Sequence, residues 1–458
     1  MTLIKSISGI RGTIGGKTGS NLTPLDVVEC CAGFGMWIKA QGKKTKVVVG
    51  RDGRISGPMV SQIAVQTLLG MGIDIVDLGL STTPTVEMMV TKLEAGAGII
   101  FTASHNPKEW NALKFLNEKG EFISAEDGQT IIEYIKNKNL VFTDVDSLGT
   151  YSVYENHITD HIDEIVKFPY VDVASIRQAG LSVVVDCINS TGSISIPPLL
   201  DVLGVTYTLL NADHFGHFAH NPEPLPAHLT GLVESVKSNK ADMGISVDPD
   251  VDRLAFVCED GSLFGEEYTL VAIADYMLEG TSGKYTVSNL SSSRALADVT
   301  HKHGGFYKAA AVGEVNVVNT MKETRALIGG EGNGGVIVPG LHYGRDALAG
   351  IALFLSYVAK KKKTLTEIKA SFPQYIIIKD KISLENDEQV VQLTKTIKEN
   401  FANEKLNDID GIKIDFDLGW VHLRKSNTEP IIRIYAESQT QEMAAELIQK
   451  VKNVISYV

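Results

Sequence analysis

The run Lys46-Val47-Val48-Val49-Gly50 decides the fold class. Three consecutive valines suit a strand buried on both faces, and the glycine ends it. Residues 56–70 then carry apolar side chains at helical spacing, and residues 73–78 return to strand character. Together they read as a βαβ unit. The pattern recurs at residues 181–186 (LSVVVD), which lead through Ser190-Thr191-Gly192 into a helix and on to a strand at 205–209. It returns more weakly as a strand at 284–290, a helix at 293–303 and a strand at 305–309. Three such units in series predict three similar α/β domains with mixed sheets. The remainder differs: strands at 375–382, 411–416, 420–424 and 431–437 with helices at 385–400 and 441–457 predict a C-terminal α+β domain with an antiparallel sheet. The expected domains are 1–150, 151–258, 259–372 and 373–458.

A chain of 458 residues exceeds one ordinary core, which agrees with several domains. Hydrophobic content of 44% predicts a soluble globular protein. No apolar run is long enough to cross a bilayer, and the first residues lack signal-peptide organisation, so a cytoplasmic location is expected. The net charge of −12 argues against nucleic acid and anionic membrane as partners. An anionic small molecule would need a local basic pocket. Lys360-Lys361-Lys362-Lys363 reads as a solvated helix end or loop. Cys30, Cys31, Cys187 and Cys258 lack CxxC spacing and read as buried free thiols.

Two short motifs point to phosphoryl chemistry. Thr102-Ala103-Ser104-His105-Asn106-Pro107 follows the strand-like residues 97–101, and Asn106-Pro107 forces a turn that leaves Ser104 as an exposed hydroxyl at a strand end. His105 is not expected to serve as the base of a hydrolase triad, because neighbouring side chains on a turn diverge and no GxSxG elbow is present. Asp248-Pro249-Asp250-Val251-Asp252-Arg253 lies between strand-like residues 243–247 and 254–257. In extended chain its three carboxylates would point to one side. Such a gathering calls for a neutralising cation, and oxygen-only ligands beside a phosphate favour Mg²⁺. An EF-hand loop from Asp248 would need glycine where Arg253 stands. A haloacid-dehalogenase start would need threonine or valine where the chain has Asp252 or Leu254.

Gly330-Glu331-Gly332-Asn333-Gly334-Gly335 fits GxGxxG literally, but a strand rather than a helix follows it. A dinucleotide site is therefore rejected, and a loop presenting Glu331 and Asn333 to sugar hydroxyls is expected. Arg424-Lys425-Ser426-Asn427-Thr428-Glu429-Pro430 offers a guanidinium, hydroxyls and turn N–H groups suited to phosphate. Arg11 stands in Ser8-Gly9-Ile10-Arg11-Gly12, between glycines that allow close backbone approach. Gly50-Arg51-Asp52-Gly53-Arg54 reads as a structural, ion-paired loop, and Arg433 as a structural strand residue.

In this order, the motifs resemble those of the α-D-phosphohexomutase family over essentially the whole chain. The resemblance implies an enzyme that interconverts hexose 6-phosphate and 1-phosphate through a phosphoserine and a hexose bisphosphate, acting as a monomer or homodimer. It implies that Ser104 carries the phosphoryl group and joins Asp248, Asp250 and Asp252 around Mg²⁺, with Arg253 steering the phosphate. Glu331 and Asn333 would face the sugar, as would Gly313 and Glu314 in Val312-Gly313-Glu314. Arg424, Ser426, Asn427 and Thr428 would hold the substrate phosphate. Arg11, and Lys114 in Asn111-Ala112-Leu113-Lys114, match active-site basic positions, with Lys114 expected to handle a proton at a lowered pKa. Many family members carry GExSGH in the sugar loop, where this chain has Asn333 and Gly335. The GGEGNGG form resembles the archaeal-type phosphoglucosamine/phosphomannomutase branch and favours glucosamine phosphate.

Overall fold

The computed structural model describes residues 2–455 except 7, 8, 139, 384–387 and 426–430. They form two compact units, Met1–Ile273 with Asn333–Ile368, and Ala274–Gly332 with Lys369–Val458.

In the first unit the Lys46–Arg51 run is a central strand, and Val47, Val48 and Val49 are wholly buried. Burying each such side chain contributes about 1.5–3 kcal/mol. The helix Gly57–Leu69 and strand Asp74–Leu80 complete the expected βαβ unit. The sheet has seven strands in the order Ile4–Ser6, Gly9–Thr13, Trp110–Leu116, Ala97–Phe101, Lys46–Arg51, Asp74–Leu80, Tyr151–Val153. Its first half is antiparallel and its second half parallel. The helix Pro24–Ala40 opens with a capping box between Thr23 and Asp26, and buries Phe34 against Phe115 with ring centroids 4.2 Å apart.

The strands Gly9–Thr13 and Trp110–Leu116 extend this sheet beyond the βαβ pattern. Arg11 pairs with Ala112, and Lys114 with Ile100, so one half-sheet carries both predicted basic residues beside the strand that enters the Ser104 turn. Gly9 makes the close approach possible. It has φ +130°, and a Cβ there would fall 2.3 Å from the Leu113 carbonyl oxygen.

A second mixed sheet in this unit runs Leu254–Cys258, Met243–Val247, Ser182–Asp186, Thr206–Leu210. Its first pair is antiparallel and the others parallel. The metal-loop motif is therefore the connection of a hairpin whose two strands are entirely buried. The helix Ala347–Lys361 ends in the exposed Lys360, Lys362 and Lys363, as expected of a solvated terminus. All four cysteines are buried thiols outside any disulfide.

The second unit holds parallel strands in the order Phe306–Ala310, Tyr285–Asn289, Ile328–Glu331. It also holds an antiparallel sheet in the order Ile376–Ser383, Ile431–Ser438, Gly419–Lys425, Ile412–Phe416, Lys405–Asn407. The helices Glu388–Asn400 and Gln441–Ile455 pack on that sheet, around Ile397, Ile414, Val421, Ile434 and Val451. No helix among the described residues is long and apolar enough to cross a membrane.

Candidate functional site

Strand Ala97–Phe101 delivers the chain into the Ser104 turn. Ser104 sits at φ +49°, a left-handed conformation that strains a residue with a side chain. Two groups hold it there. The Thr102 hydroxyl accepts from the Ser104 N–H at 2.9 Å and donates to Asp52 Oδ2 at 2.7 Å. The Arg54 guanidinium donates to the carbonyls of Ser104, Asn106, Pro107 and Trp110 at 2.5, 2.7, 2.7 and 2.9 Å. Arg54 is itself ion-paired to Asp52 at 3.0 Å, both side chains fully buried. The Asp52–Arg54 pair is thus ion-paired as expected and also fastens the serine turn to the sheet.

Two expectations about this turn are corrected. Ser104 is only 3% exposed, because its hydroxyl folds inward and donates to Asp248 Oδ2 at 2.7 Å. His105 does not diverge from it. The left-handed backbone brings the ring back so that Nδ1 lies 3.3 Å from Ser104 Oγ. Burial, reinforced by Arg253, Arg11 and Arg345, pushes the His105 pKa down to about 2 and keeps the ring neutral.

Asp248, Asp250 and Asp252 each offer an oxygen within 4.8 Å of the others, and all three are fully buried. They converge through a turn and not through strand alternation. Val251 adopts φ +59° and donates its N–H to the Asp248 carbonyl at 3.0 Å, while Asp248 Oδ1 accepts the N–H groups of Asp252 and Arg253 at 3.1 Å each. Ser190 and Thr191 brace the turn by donating to the Pro249 carbonyl at 2.6 and 2.8 Å. Ser190 also accepts from the Gly53 N–H at 2.9 Å, linking the metal loop to the Asp52–Arg54 loop.

The outer oxygens of the triad are taken by protein. Asp250 Oδ2 accepts from Thr83 at 2.6 Å and Lys114 at 2.9 Å, and Asp252 Oδ2 accepts from Arg345 at 2.6 Å. Asp250 Oδ1 and Asp252 Oδ1 are buried without a hydrogen-bond partner. Orphaned carboxylate oxygens in a dry site are costly unless a cation meets them, so the residues present fit a divalent metal with oxygen ligands.

Burial raises the Asp248 pKa well above the ordinary carboxylate value, and the charges of Asp252 and Asp250 push the same way. Burial also works to raise Asp250, but the Lys114 charge and the Thr83 and Lys114 hydrogen bonds outweigh it and take that pKa below the usual range. For Lys114 the expected lowering is not found. Burial would lower its pKa, yet Asp250 and Asp252 hold the ammonium and leave the pKa raised. Arg11 donates to Asn106 Oδ1 at 2.8 Å, on the serine turn. Arg253 is 3.4 Å from Glu223 Oε1 and 4.0 Å from Asp252 Oδ1. Asn333 Oδ1 accepts from the Gly335 N–H at 3.2 Å within its own loop, and the Gly334 carbonyl accepts from the Leu254 N–H at 3.1 Å.

In the second unit Glu331 is buried, and its Oε1 accepts from Asn289 at 2.9 Å and from the Gly313 N–H at 3.3 Å. Gly313, at φ +114°, is the N-cap of helix Glu314–Thr324. Two loops read separately in the sequence therefore meet. Arg424 Nε is 2.8 Å from Asp410 Oδ2, and that carboxylate also accepts the Val312 N–H at 3.0 Å. Ser8, Ser426, Asn427 and Thr428 lie outside the described residues.

Asp52, Arg54, Thr83, Asn289, Arg345 and Asp410 were not read as site residues from the sequence. The 50–54 run reads in the sequence as an ion-paired loop, with nothing local to mark its grip on the serine turn. The others act through contacts distant in sequence and have no local signature.

Comparison with known proteins bears on the whole chain. Family models for phosphoglucomutase/phosphomannomutase match in series: alpha/beta/alpha domain I at residues 3–141, domain II at 159–261, domain III at 265–375, and the C-terminal domain at 377–454. A phosphoglucomutase/phosphomannomutase of Thermococcus kodakarensis is 34% identical over 96% of each chain. A probable phosphoglucosamine mutase of Methanopyrus kandleri is 32% identical over 96% of this chain and 95% of its own. The crystal structure of a phosphoglucomutase/phosphomannomutase family protein from Burkholderia thailandensis superposes with a TM-score of 0.87 at 25% identity, covering 99% of this chain and 97% of that one. The chain belongs to the phosphoglucomutase/phosphomannomutase family of isomerases, the phosphohexomutases.

Proposed function

We propose that the protein moves a phosphoryl group between the 6- and 1-positions of a hexose phosphate, with Ser104 as the carrier. The observation that carries this is the Ser104 hydroxyl, 2.7 Å from Asp248 in a buried group of three carboxylates. In the first half-reaction the phosphoserine O–P bond breaks and a bond from phosphorus to the free sugar hydroxyl forms, giving a hexose bisphosphate and the Ser104 hydroxyl. In the second half-reaction the other phosphate returns to Ser104. Asp248, Asp250 and Asp252 would hold Mg²⁺, which supplies positive charge against the phosphoryl oxygens. Arg11, Lys114 and Arg253 contribute further fixed positive charge. The protein's task is positioning and charge stabilisation. Glu331 and Asn333, with Gly313 and Glu314, are assigned to sugar recognition, and Arg424 with Ser426, Asn427 and Thr428 to the non-reacting phosphate.

Glucosamine phosphate is the proposed sugar. The GGEGNGG loop supports it, as does the Methanopyrus kandleri relative named a probable phosphoglucosamine mutase. The Thermococcus kodakarensis relative supports glucose or mannose phosphate as the second reading. Phosphorus NMR of the protein with Mg²⁺ and a trace of hexose bisphosphate tests both, with glucosamine, glucose and mannose 6-phosphates offered separately. Fast formation of the 1-phosphate from glucosamine 6-phosphate is expected. Turnover of glucose or mannose phosphate alone overturns the sugar assignment. No turnover of any of the three overturns the activity.

A further inference from the structure

Apart from the Asp triad, the first unit holds a second convergent cluster. His161 Nε2 is 2.9 Å and His342 Nε2 3.3 Å from the same oxygen, Asp346 Oδ2. One ligand atom from each of the three residues lies within 4.8 Å of the others. His161 and Asp346 are buried, and the His342 side chain keeps an edge 11% exposed. The other carboxylate oxygen, Asp346 Oδ1, is fixed by the N–H groups of Leu348 and Ala349 at 2.9 and 3.1 Å, where Asp346 caps helix Ala347–Lys361. Only Oδ2 therefore faces the two imidazoles.

The far side of each ring also faces a polar partner. His161 Nδ1 is hydrogen-bonded to Thr85 Oγ1 at 2.9 Å, and His342 Nδ1 lies 3.3 Å from Glu87 Oε2, an ion-pair distance without hydrogen-bond alignment. Thr85 is in turn held by the Thr82 hydroxyl at 2.6 Å. Such outer partners fix the tautomer and ring plane of metal-binding histidines. The two measured separations compare with the edge of about 3.3 Å between ligand atoms on arms of about 2.0 Å in a tetrahedral zinc site. We propose that His161, His342 and Asp346 form a second metal site, for a zinc-class transition-metal dication, with Thr85 and Glu87 as its outer partners. Two imidazoles and one carboxylate select such an ion over Mg²⁺, whereas the all-carboxylate triad has the opposite preference.

The site is placed to brace the catalytic loops. Thr85 and Glu87 lie on helix Thr83–Lys92, whose first residue donates to Asp250, and Asp346 follows Arg345, which pairs with Asp252. The metal ties that helix to the start of helix Ala347–Lys361 and to helix His157–Lys167, which carries His161.

The test uses the full chain, stripped with EDTA, returned to excess Mg²⁺ and titrated with Co²⁺ as the optical probe. One equivalent of Co²⁺ with the intense visible absorption of a low-coordinate nitrogen-containing site is expected. Asp248→Asn should keep that band. His161→Gln and His342→Gln should abolish it, and Thr85→Val should weaken binding about tenfold to a hundredfold. Zn²⁺ should displace Co²⁺ and raise the Tm of the wild-type protein above its Mg²⁺-only value. If the Mg²⁺-saturated wild type takes up no Co²⁺ with such a band, the proposal is overturned, and the cluster is held by protons alone. Loss of the band in Asp248→Asn with retention in the histidine variants overturns it equally. The wild-type titration is decisive by itself, whether or not a variant folds. None of these readings depends on sugar turnover.

Discussion

Asp248, Asp250 and Asp252 in the first unit are fully buried, whereas Arg424 and Asp410 in the second unit keep 28% and 21% of their side chains exposed. In the dry cluster a charge has little water to screen it, so each carboxylate must be met by a cation, a hydroxyl or an N–H group. The wetter pair faces a smaller desolvation cost and a weaker field. On the proposed function, that difference suits separate tasks: a fixed field for phosphoryl transfer at the carboxylates, and reversible recognition of a sugar phosphate at Arg424.

The contrast predicts unequal consequences of substitution. Ser104→Ala should lower kcat on the order of 10⁴-fold or more while leaving the folded structure in place, since it removes the carrier itself. Steady-state turnover with circular dichroism as a fold control checks this, and near-normal turnover breaks the assignment. Asp250→Asn should cost about 10²–10³-fold in kcat and weaken activation by Mg²⁺, because it removes the negative charge and one of the two oxygens that serve Lys114 and the proposed metal. A Mg²⁺ titration of the variant is the check; a wild-type activation curve would separate the carboxylates from the metal.

In the second unit the effects should shift from turnover to binding. Arg424→Ala should raise KM on the order of a hundredfold with a smaller change in kcat, as removal of a phosphate anchor does. An unchanged KM would remove Arg424 from substrate binding.

The smallest expected effect concerns His422. Burial, with Lys413 and Arg424 nearby, lowers its pKa to about 4, although the Asp410 carbonyl and charge act in the other direction. Its Nε2 is 2.7 Å from the Asp410 carbonyl and its Nδ1 2.9 Å from the Ser291 hydroxyl. The unfolded chain binds a proton below about pH 6.5 while the folded chain stays neutral until about pH 4, so stability is lost as pH falls through that window. By pH 5 the loss from this residue should be on the order of 2 kcal/mol. Urea unfolding of wild type and His422→Gln at several pH values measures it. Parallel pH profiles would show that His422 is not the group responsible.

Much of the fold was legible because it rests on local pattern. Val47 to Val49 announce a buried strand, and the runs before Ser104 and Asp248 end in turns whose residue types carry chemistry. The pairing of Gly9–Thr13 with Trp110–Leu116 was not legible, since it joins segments about a hundred residues apart through backbone hydrogen bonds that leave no side-chain signature. The same reason hid Arg54, Thr83 and Arg345. An arginine that satisfies four carbonyls of a distant turn looks, in sequence, like any surface arginine. The inward fold of Ser104 was missed because strand-end hydroxyls usually face solvent. Here the left-handed backbone at Ser104 turns the side chain toward Asp248.

The central claim is that Ser104 carries the phosphoryl group, and the most direct measurement locates the phosphate. The protein is incubated with Mg²⁺ and hexose bisphosphate, digested, and its peptides mapped by mass spectrometry. One phosphoryl group on Ser104, lost when excess hexose 6-phosphate is added and absent from Ser104→Ala, is the predicted result. An active enzyme with an unmodified Ser104, or with its phosphate on another residue, would contradict it.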